Sequence, residues 1–238
     1  MSTNVLPQPE QKAVYVERMF SRIAPGYDQM NGIMTLGLDR GWRAATVELA
    51  APPGNGRALD IGTGTGDFLA ELVPWVPDGL AVGVDFTVPM MRAGQAKIAG
   101  SRASFVAGDA LALPFADGSF DAITTGFTLR NVTDIAAAFR EMWRVARVSA
   151  TLACLEVARP RQPLLRAGHW LYFQRVVPLL ARLLGADTEA YVYLPQSARV
   201  FPPPDELAQI MRRAGWSDVS YRLVGFGAAA IHTAIKRE

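Results

Sequence analysis

Apolar and polar positions follow two rhythms along this chain. Short apolar runs end in an acid at Ala58-Leu59-Asp60, at Ala81-Val82-Gly83-Val84-Asp85 and at Ser104-Phe105-Val106-Ala107-Gly108-Asp109, and read as buried strands. Segments with apolar residues three and four apart lie between them and read as helices. The predicted order is a strand to Ile61, a helix to about Val73, a strand to Asp85, a helix over 89–98 and a third strand to Val106 with Asp109 at its exit. A fourth strand over 120–125, a helix over 135–146 capped by Asp134 and a fifth strand over 150–157 follow. Such alternation predicts an α/β fold with a mainly parallel sheet and right-handed crossovers. After a helix over 205–214, the segments 219–225 and 228–236 add two terminal strands, antiparallel, making a seven-stranded sheet.

The flanks differ from this core. Residues 11–23 have helical spacing through Val14, Met19 and Phe20, and Pro25-Gly26 stops that helix. Tyr27, Asp28 and Asn31 then sit among methionines, as a capping turn or as a flap over a ligand. A helix over 38–50 and the linker Pro52-Pro53-Gly54-Asn55-Gly56 lead into the core. Over 163–185 leucines and aromatics dominate, interrupted by Arg166, His169, Arg175 and Arg182, and Pro178 should kink or split the helix. That stretch is apolar on too many sides for a plain surface helix. It reads as a lid over a hydrophobic substrate, in touch with a membrane surface. Residues 191–195 and 201–204 read as a Pro-rich connection. The expected organisation is one domain over 1–238, with an N-terminal helical cap (1–56), a core (57–160 and 206–238) and a helical lid (161–205).

Composition narrows the classes. With 238 residues, half of them hydrophobic, the chain can bury one sizeable core. A net charge of +2 without a Lys/Arg run points away from nucleic acid. The lone Cys154 sits in an apolar run as a small buried hydrophobe, and its solitude fits a reducing cytoplasm. No signal peptide, membrane span or metal-ligand cluster is expected.

The candidate chemistry lies at the strand ends. Asp60-Ile61-Gly62-Thr63-Gly64-Thr65-Gly66-Asp67 is a strand end, a tight turn and a helix N-terminus, where glycines let a ligand approach the backbone. An acid at that strand end would repel a pyrophosphate, which disfavours a nicotinamide oxidoreductase. It suits a ligand with an amino or sulfonium cation, such as S-adenosylmethionine. Asp85 stands where a carboxylate holds ribose hydroxyls, and Asp109 is placed to face an adenine. Beyond the fourth strand, Arg130 and Asn131 emerge beside the expected methyl; Arg130 serves an oxyanion or an ion pair with a neighbouring loop.

The chain as a whole resembles the class I C-methyltransferases of ubiquinone and menaquinone biosynthesis. The resemblance rests on Tyr27-Asp28-x-Met30-Asn31, Leu59-Asp60 through Gly66-Asp67, Asp109-Ala110-x-Ala112-Leu113-Pro114-Phe115 and Phe127-x-Leu129-Arg130-Asn131-Val132-x-Asp134. Leu155-Glu156 before Arg159-Pro160, and Tyr193-Leu194-Pro195-x-Ser197 before Phe201-Pro202, complete it. It implies a Rossmann-like fold and a donor, S-adenosylmethionine, held at Asp60, Gly62, Gly64, Thr65, Gly66, Asp85, Asp109, Ala110 and Gly126, the last where relatives often carry serine. It implies a hydrophobic prenylated quinol acceptor, demethylmenaquinol or a polyprenyl-benzoquinol, methylated on carbon. Arg130 would stabilise the phenolate, Asn131 and Tyr27 would orient the ring, and Asp28 and His169 are the candidate bases. Methylation of another phenol, on oxygen, and a catalytically silent donor-binding partner are the rival readings. The inner membrane face and a homodimer are the remaining candidate associations. Three departures from the family pattern stand out: Asp39 before Arg40 in place of histidine, Val148-Ser149-Ala150 in place of Pro-Gly-Gly, and Thr128 in place of glycine.

Overall fold

The computed structural model describes residues 6–183 and 187–238. Three helices come first: α1 (Lys12–Ile23), α2 (Tyr27–Met34) and α3 (Leu38–Ala50). The core follows as β1 (Arg57–Ile61), α4 (Asp67–Leu72), β2 (Leu80–Asp85), α5 (Val88–Gly94), β3 (Ala103–Ala107), β4 (Phe120–Gly126), α6 (Ile135–Val145) and β5 (Ala146–Val157). Then come α7 (Pro163–Leu171), α8 (Val177–Leu183), α9 (Thr188–Val200), α10 (Pro204–Arg213), β6 (Ser217–Val224) and β7 (Ala229–Ile235).

The strands form one seven-stranded sheet in the order β3-β2-β1-β4-β5-β7-β6. Pairing is parallel from β3 through β5, and β7 runs antiparallel to both β5 and β6. The strand order reverses between β1 and β4, and ligands of such sheets bind outside the carboxyl ends of the strands at that point. Alternation along β1 divides the core. Leu59 and Ile61 pack with Phe139, Met142 and Met211 of α6 and α10, whereas Ala58 packs with Val47 of α3 and Leu69 and Leu72 of α4. Asp60 shares the Ala58 face and stands in register with Thr124 of β4.

Four expectations need correction. The stretch after Pro25-Gly26 is the helix α2, with Met30 and Met34 buried, rather than a capping turn, and Tyr27 at its start lines the first cavity. The expected connection over 191–195 lies inside α9, which carries Pro195 in its interior and is capped by Asp187, whose carboxylate accepts from the Glu189 and Ala190 N–H groups. There the packing of Tyr193 against Met19, Met30 and Val177 outweighs the proline. The fifth strand begins at Ala146, not 150. Without the family's Pro-Gly-Gly, the chain runs from α6 straight into β5 through an irregularity in the β4 pairing, where Ser149 takes a φ of 70°. The split expected at Pro178 appears as a π-helical turn over Tyr172–Val176 between α7 and α8.

Helices α1 and α2 share one cluster with α8 and α9, through Val16, Met19, Met30, Val177, Ala190 and Tyr193. Among the described residues no helix is long and apolar enough to cross a membrane.

Candidate active site

Two cavities open at the carboxyl edge of the sheet. The first is walled by Gly62 and Gly64 of the turn after β1, Asp85 and Phe86 after β2, Asp109, Ala110 and Leu111 after β3, and Gly126 at the end of β4. The second has a volume of about 410 Å³ and lies between α2, α3, the exits of β4 and β5, and α7 and α9. Its walls include Met34, Leu36, Leu38, Trp42, Tyr172 and Leu194. Tyr27 and Phe127 belong to both walls, so the cavities adjoin there.

The first cavity is rich in carboxyls held without cations. Asp85 accepts from the Gly64 and Thr87 N–H groups at 2.8 and 2.7 Å. Asp109 accepts from the Leu111 N–H at 2.9 Å. Asp60 accepts from the Thr124 hydroxyl at 2.9 Å and is 1% exposed, beneath the turn rather than in the wall. Burial pushes the Asp60 carboxyl up to about 7 and raises Asp85 as well. Thr63, in the same turn, has a buried hydroxyl beside the Asp60 carboxyl, where it favours the charged form.

Glycine is required at the turn. Gly62 has a φ of 67°, and a Cβ there would lie 2.2 Å from the Thr128 side chain. A Cβ on Gly126 would lie 2.2 Å from Cε2 of Phe68, so the phenyl ring fills the room a serine would need.

Thr65, Gly66 and Asp28 lie outside both walls. The Thr65 hydroxyl donates to Asp28 at 2.6 Å, and Lys97 pairs with Asp28 at 2.7 Å and with Asp67. Arg43 reaches the other oxygen of Asp67 at 3.0 Å and pairs with Asp39 at 2.7 Å. Asp39, which stands in place of the family histidine, therefore anchors an arginine that ties α3 to the start of α4. Each Asp28 oxygen has one partner in this network, and the side chain stays half exposed. The side chain of His169 lies outside the described residues.

Arg130 occupies the wall of the second cavity. Its side chain is 8% exposed, Nη1 lies 3.6 Å from Oε2 of Glu156, and the guanidinium lies over the Phe127 ring at 5.5 Å. Nε and Nη1 are buried without a hydrogen-bond partner. Glu156, at the end of β5, also accepts from the Leu129 N–H at 2.7 Å, and so holds the turn that presents Arg130. Burial raises the Glu156 carboxyl, and the neighbouring Arg130 charge opposes that rise. Asn131 accepts from the Tyr193 hydroxyl at 3.2 Å and donates to the Phe127 carbonyl at 3.3 Å. Phe127 itself has a φ of 56°, a conformation a bulky residue holds only when its surroundings impose it. Glu156 and Phe127 had no assigned role from the sequence. For Glu156 the signal was present, since it is a strand-end acid like the other three; for Phe127 no local signal exists.

The sequence profile of the ubiE/COQ5 methyltransferase family matches residues 8–236. This chain belongs to that family. It is 85% identical to the demethylmenaquinone methyltransferase of Roseiflexus castenholzii over the full length of both chains. It is 41% identical to the demethylmenaquinone methyltransferase of Deinococcus radiodurans, over 96% of this chain and 95% of that one. Among solved structures, a SAM-dependent methyltransferase of Thermotoga maritima shares the fold with a TM-score of 0.66 at 21% identity, covering 92% of this chain and 99% of that one. Phosphoethanolamine N-methyltransferase 2 of Haemonchus contortus, solved with S-adenosylmethionine, aligns with a TM-score of 0.61 at 13% identity, over 83% of this chain and 53% of that one. As a member of the ubiE/COQ5 family the chain is an S-adenosylmethionine-dependent methyltransferase.

The first cavity fits that donor. Its acids answer to hydroxyl and N–H groups rather than to lysine or arginine, and two of them are pushed toward the neutral form by burial. A cationic ligand relieves that burial cost.

Proposed function

We propose that this methyltransferase methylates a ring carbon of a prenylated quinol, with demethylmenaquinol as acceptor. One observation carries the reading: a buried guanidinium, ion-paired with Glu156 yet with two N–H groups that make no hydrogen bond, in the wall of a mainly apolar cavity next to where that cavity adjoins the donor cleft. The relatives that carry the demethylmenaquinone methyltransferase name support the choice of ring.

The donor would be held by Gly62, Gly64, Asp85, Asp109, Ala110 and Gly126 in the wall, with Asp60, Thr65 and Gly66 shaping the turn beneath. Bound there, it supplies an electrophilic methyl on a sulfonium. The acceptor becomes nucleophilic at carbon when a hydroxyl of the reduced ring loses its proton and charge spreads to the ortho position. A phenol titrates near 10, so the site must favour the phenolate. Arg130 does so with two buried N–H donors that make no hydrogen bond, while its charge is paired with Glu156 at 3.6 Å. An arginine does not give up its proton, so it acts as a fixed charge and not as the base. Asn131, in the wall of the donor cleft, is tied to Tyr193 and Phe127 and so steadies the wall that Phe127 and Tyr27 of α2 share between the cavities. That wall sets the ring against the methyl at about 3–3.5 Å.

The division into cap (1–56), core (57–160 and 206–238) and lid (161–205), with the prenyl tail beneath the lid, belongs to the same proposal, as do a place at the inner face of the membrane and a homodimer. Sedimentation velocity measures the last. The decisive assay uses a short-chain demethylmenaquinol, a benzoquinol counterpart and labelled donor. Arg130→Ala should lower turnover about 10²- to 10³-fold, the cost of one oxyanion donor, with donor affinity unchanged. Label on oxygen, or a parallel loss of donor affinity, overturns the assignment.

A further inference from the structure

The rim of the second cavity carries features that the methyl-transfer chemistry does not use. Leu36, in its wall, is 74% exposed and has a φ of 55°. Phe226, in the turn between β6 and β7, is 83% exposed and has a φ of 56°. The left-handed region is costly for a bulky side chain, and neither residue recovers that cost by packing. The Phe226 turn is nevertheless firmly seated. A Cβ on Gly225, itself in the cavity wall, would lie 2.3 Å from the Trp42 ring, and one on Gly227 would lie 3.2 Å from Cα of Pro160. The phenyl is therefore held outward by a turn pressed against the cavity wall. Leu164, on α7 two residues before the wall residue Arg166, is 84% exposed.

Charge complements this apolar rim. The wall contains Arg159, Arg166 and Arg199, all exposed, and its single acid, Asp39, is neutralised by Arg43. Apolar tips inside a cationic collar match the acyl boundary and phosphates of an anionic bilayer.

We propose that this rim is the face that docks on an anionic phospholipid bilayer. Leu36, Leu164 and Phe226 enter the headgroup–acyl boundary, Arg159, Arg166 and Arg199 meet lipid phosphates, and the cavity opens onto the layer in which a prenylated ring dissolves. The inference rests on the prenylated-quinol reading for its purpose, yet its test needs no quinol.

The full chain is floated with vesicles of phosphatidylcholine alone or with 30% phosphatidylglycerol, at about 0.1 M and 0.5 M salt. Binding should require phosphatidylglycerol and weaken at the higher salt. Replacing Arg159, Arg166 and Arg199 by Gln should weaken it about five-fold per arginine. Leu164→Ser should weaken it without altering thermal stability. Phe226→Gly should move two readouts in opposite directions: about ten-fold weaker vesicle binding and a higher Tm, because glycine accepts the left-handed backbone. No vesicle binding, equal binding to neutral vesicles, or binding unchanged by Phe226→Gly and Leu164→Ser overturns the docking face. Vesicle binding without quinol methylation leaves the docking face standing and removes the acceptor assignment; methylation of a short-chain quinol without vesicle binding does the reverse.

Discussion

Asp60 offers the sharpest test of how the donor cleft is built. Its carboxyl is sealed under the glycine turn with the Thr124 hydroxyl as partner, and burial lifts it from 3.8 to about 7. The sign of the pH effect follows. A carboxyl raised by folding contributes stability that is fully present below 3.8 and is lost as pH climbs through 7. The rise is about 3.2 pH units, and at roughly 1.4 kcal/mol each the loss is at most about 4 kcal/mol. Asp60→Asn removes the titration while its amide oxygen still accepts from Thr124, and its amide N–H₂ takes the place of the oxygen beside the Thr63 hydroxyl. The variant should gain on the native chain as pH rises. Of that loss about 2.6 kcal/mol falls between pH 5 and pH 8, so at about 2–4 °C per kcal/mol for a chain of this size the gap in Tm should widen by up to roughly 5–10 °C over that range. Circular dichroism melts of the donor-free protein across that range measure it. Saturating S-adenosylmethionine at pH 8 should then raise the Tm of the native chain more than that of the variant, because only the native chain adds the Asp60 charge to the Asp85 carboxyl that both carry. A gap that stays constant from pH 5 to pH 8 would refute the reasoning.

Three further outcomes follow from the same geometry. Asp85→Ala strips the partner from the Gly64 and Thr87 N–H groups and should weaken donor binding about 10- to 100-fold by calorimetry, each charge-assisted bond contributing about 1.5–3 kcal/mol. Gly126→Ser drives a Cβ into Phe68 and should cost about 1–3 kcal/mol in chemical denaturation, with Phe68→Leu in the same chain recovering part of it. Ser149→Gly relieves a φ of 70° and should raise stability by about 1 kcal/mol in urea melts, since the strand irregularity persists while its strain is removed.

Much of this was legible in the sequence. The bounds of α3 fall where spacing and the Pro-Pro-Gly linker place them, and Asp134 caps α6 through the Ala137 N–H as its position implies. The strand-end acids gather at one edge because every parallel strand ends there. What could not be read depends on contacts between distant segments. Pro195 looks like a break until Tyr193 is seen packed against α1 and α2. The seating of Arg130 depends on Glu156, which reaches it only because β4 and β5 are neighbours in the sheet. The side of the strand to which Asp60 turns was available from alternation, but the depth of its burial depends on α3 and α4 closing over that face.

The sharing of Tyr27 and Phe127 between the two cavities has a consequence for inhibitor design. Because the compartments adjoin at these two side chains, a single compound with one arm in each, joined past Tyr27 and Phe127, would take purchase on both at once. Its second half would then engage at an effective concentration set by the tether rather than by the solution.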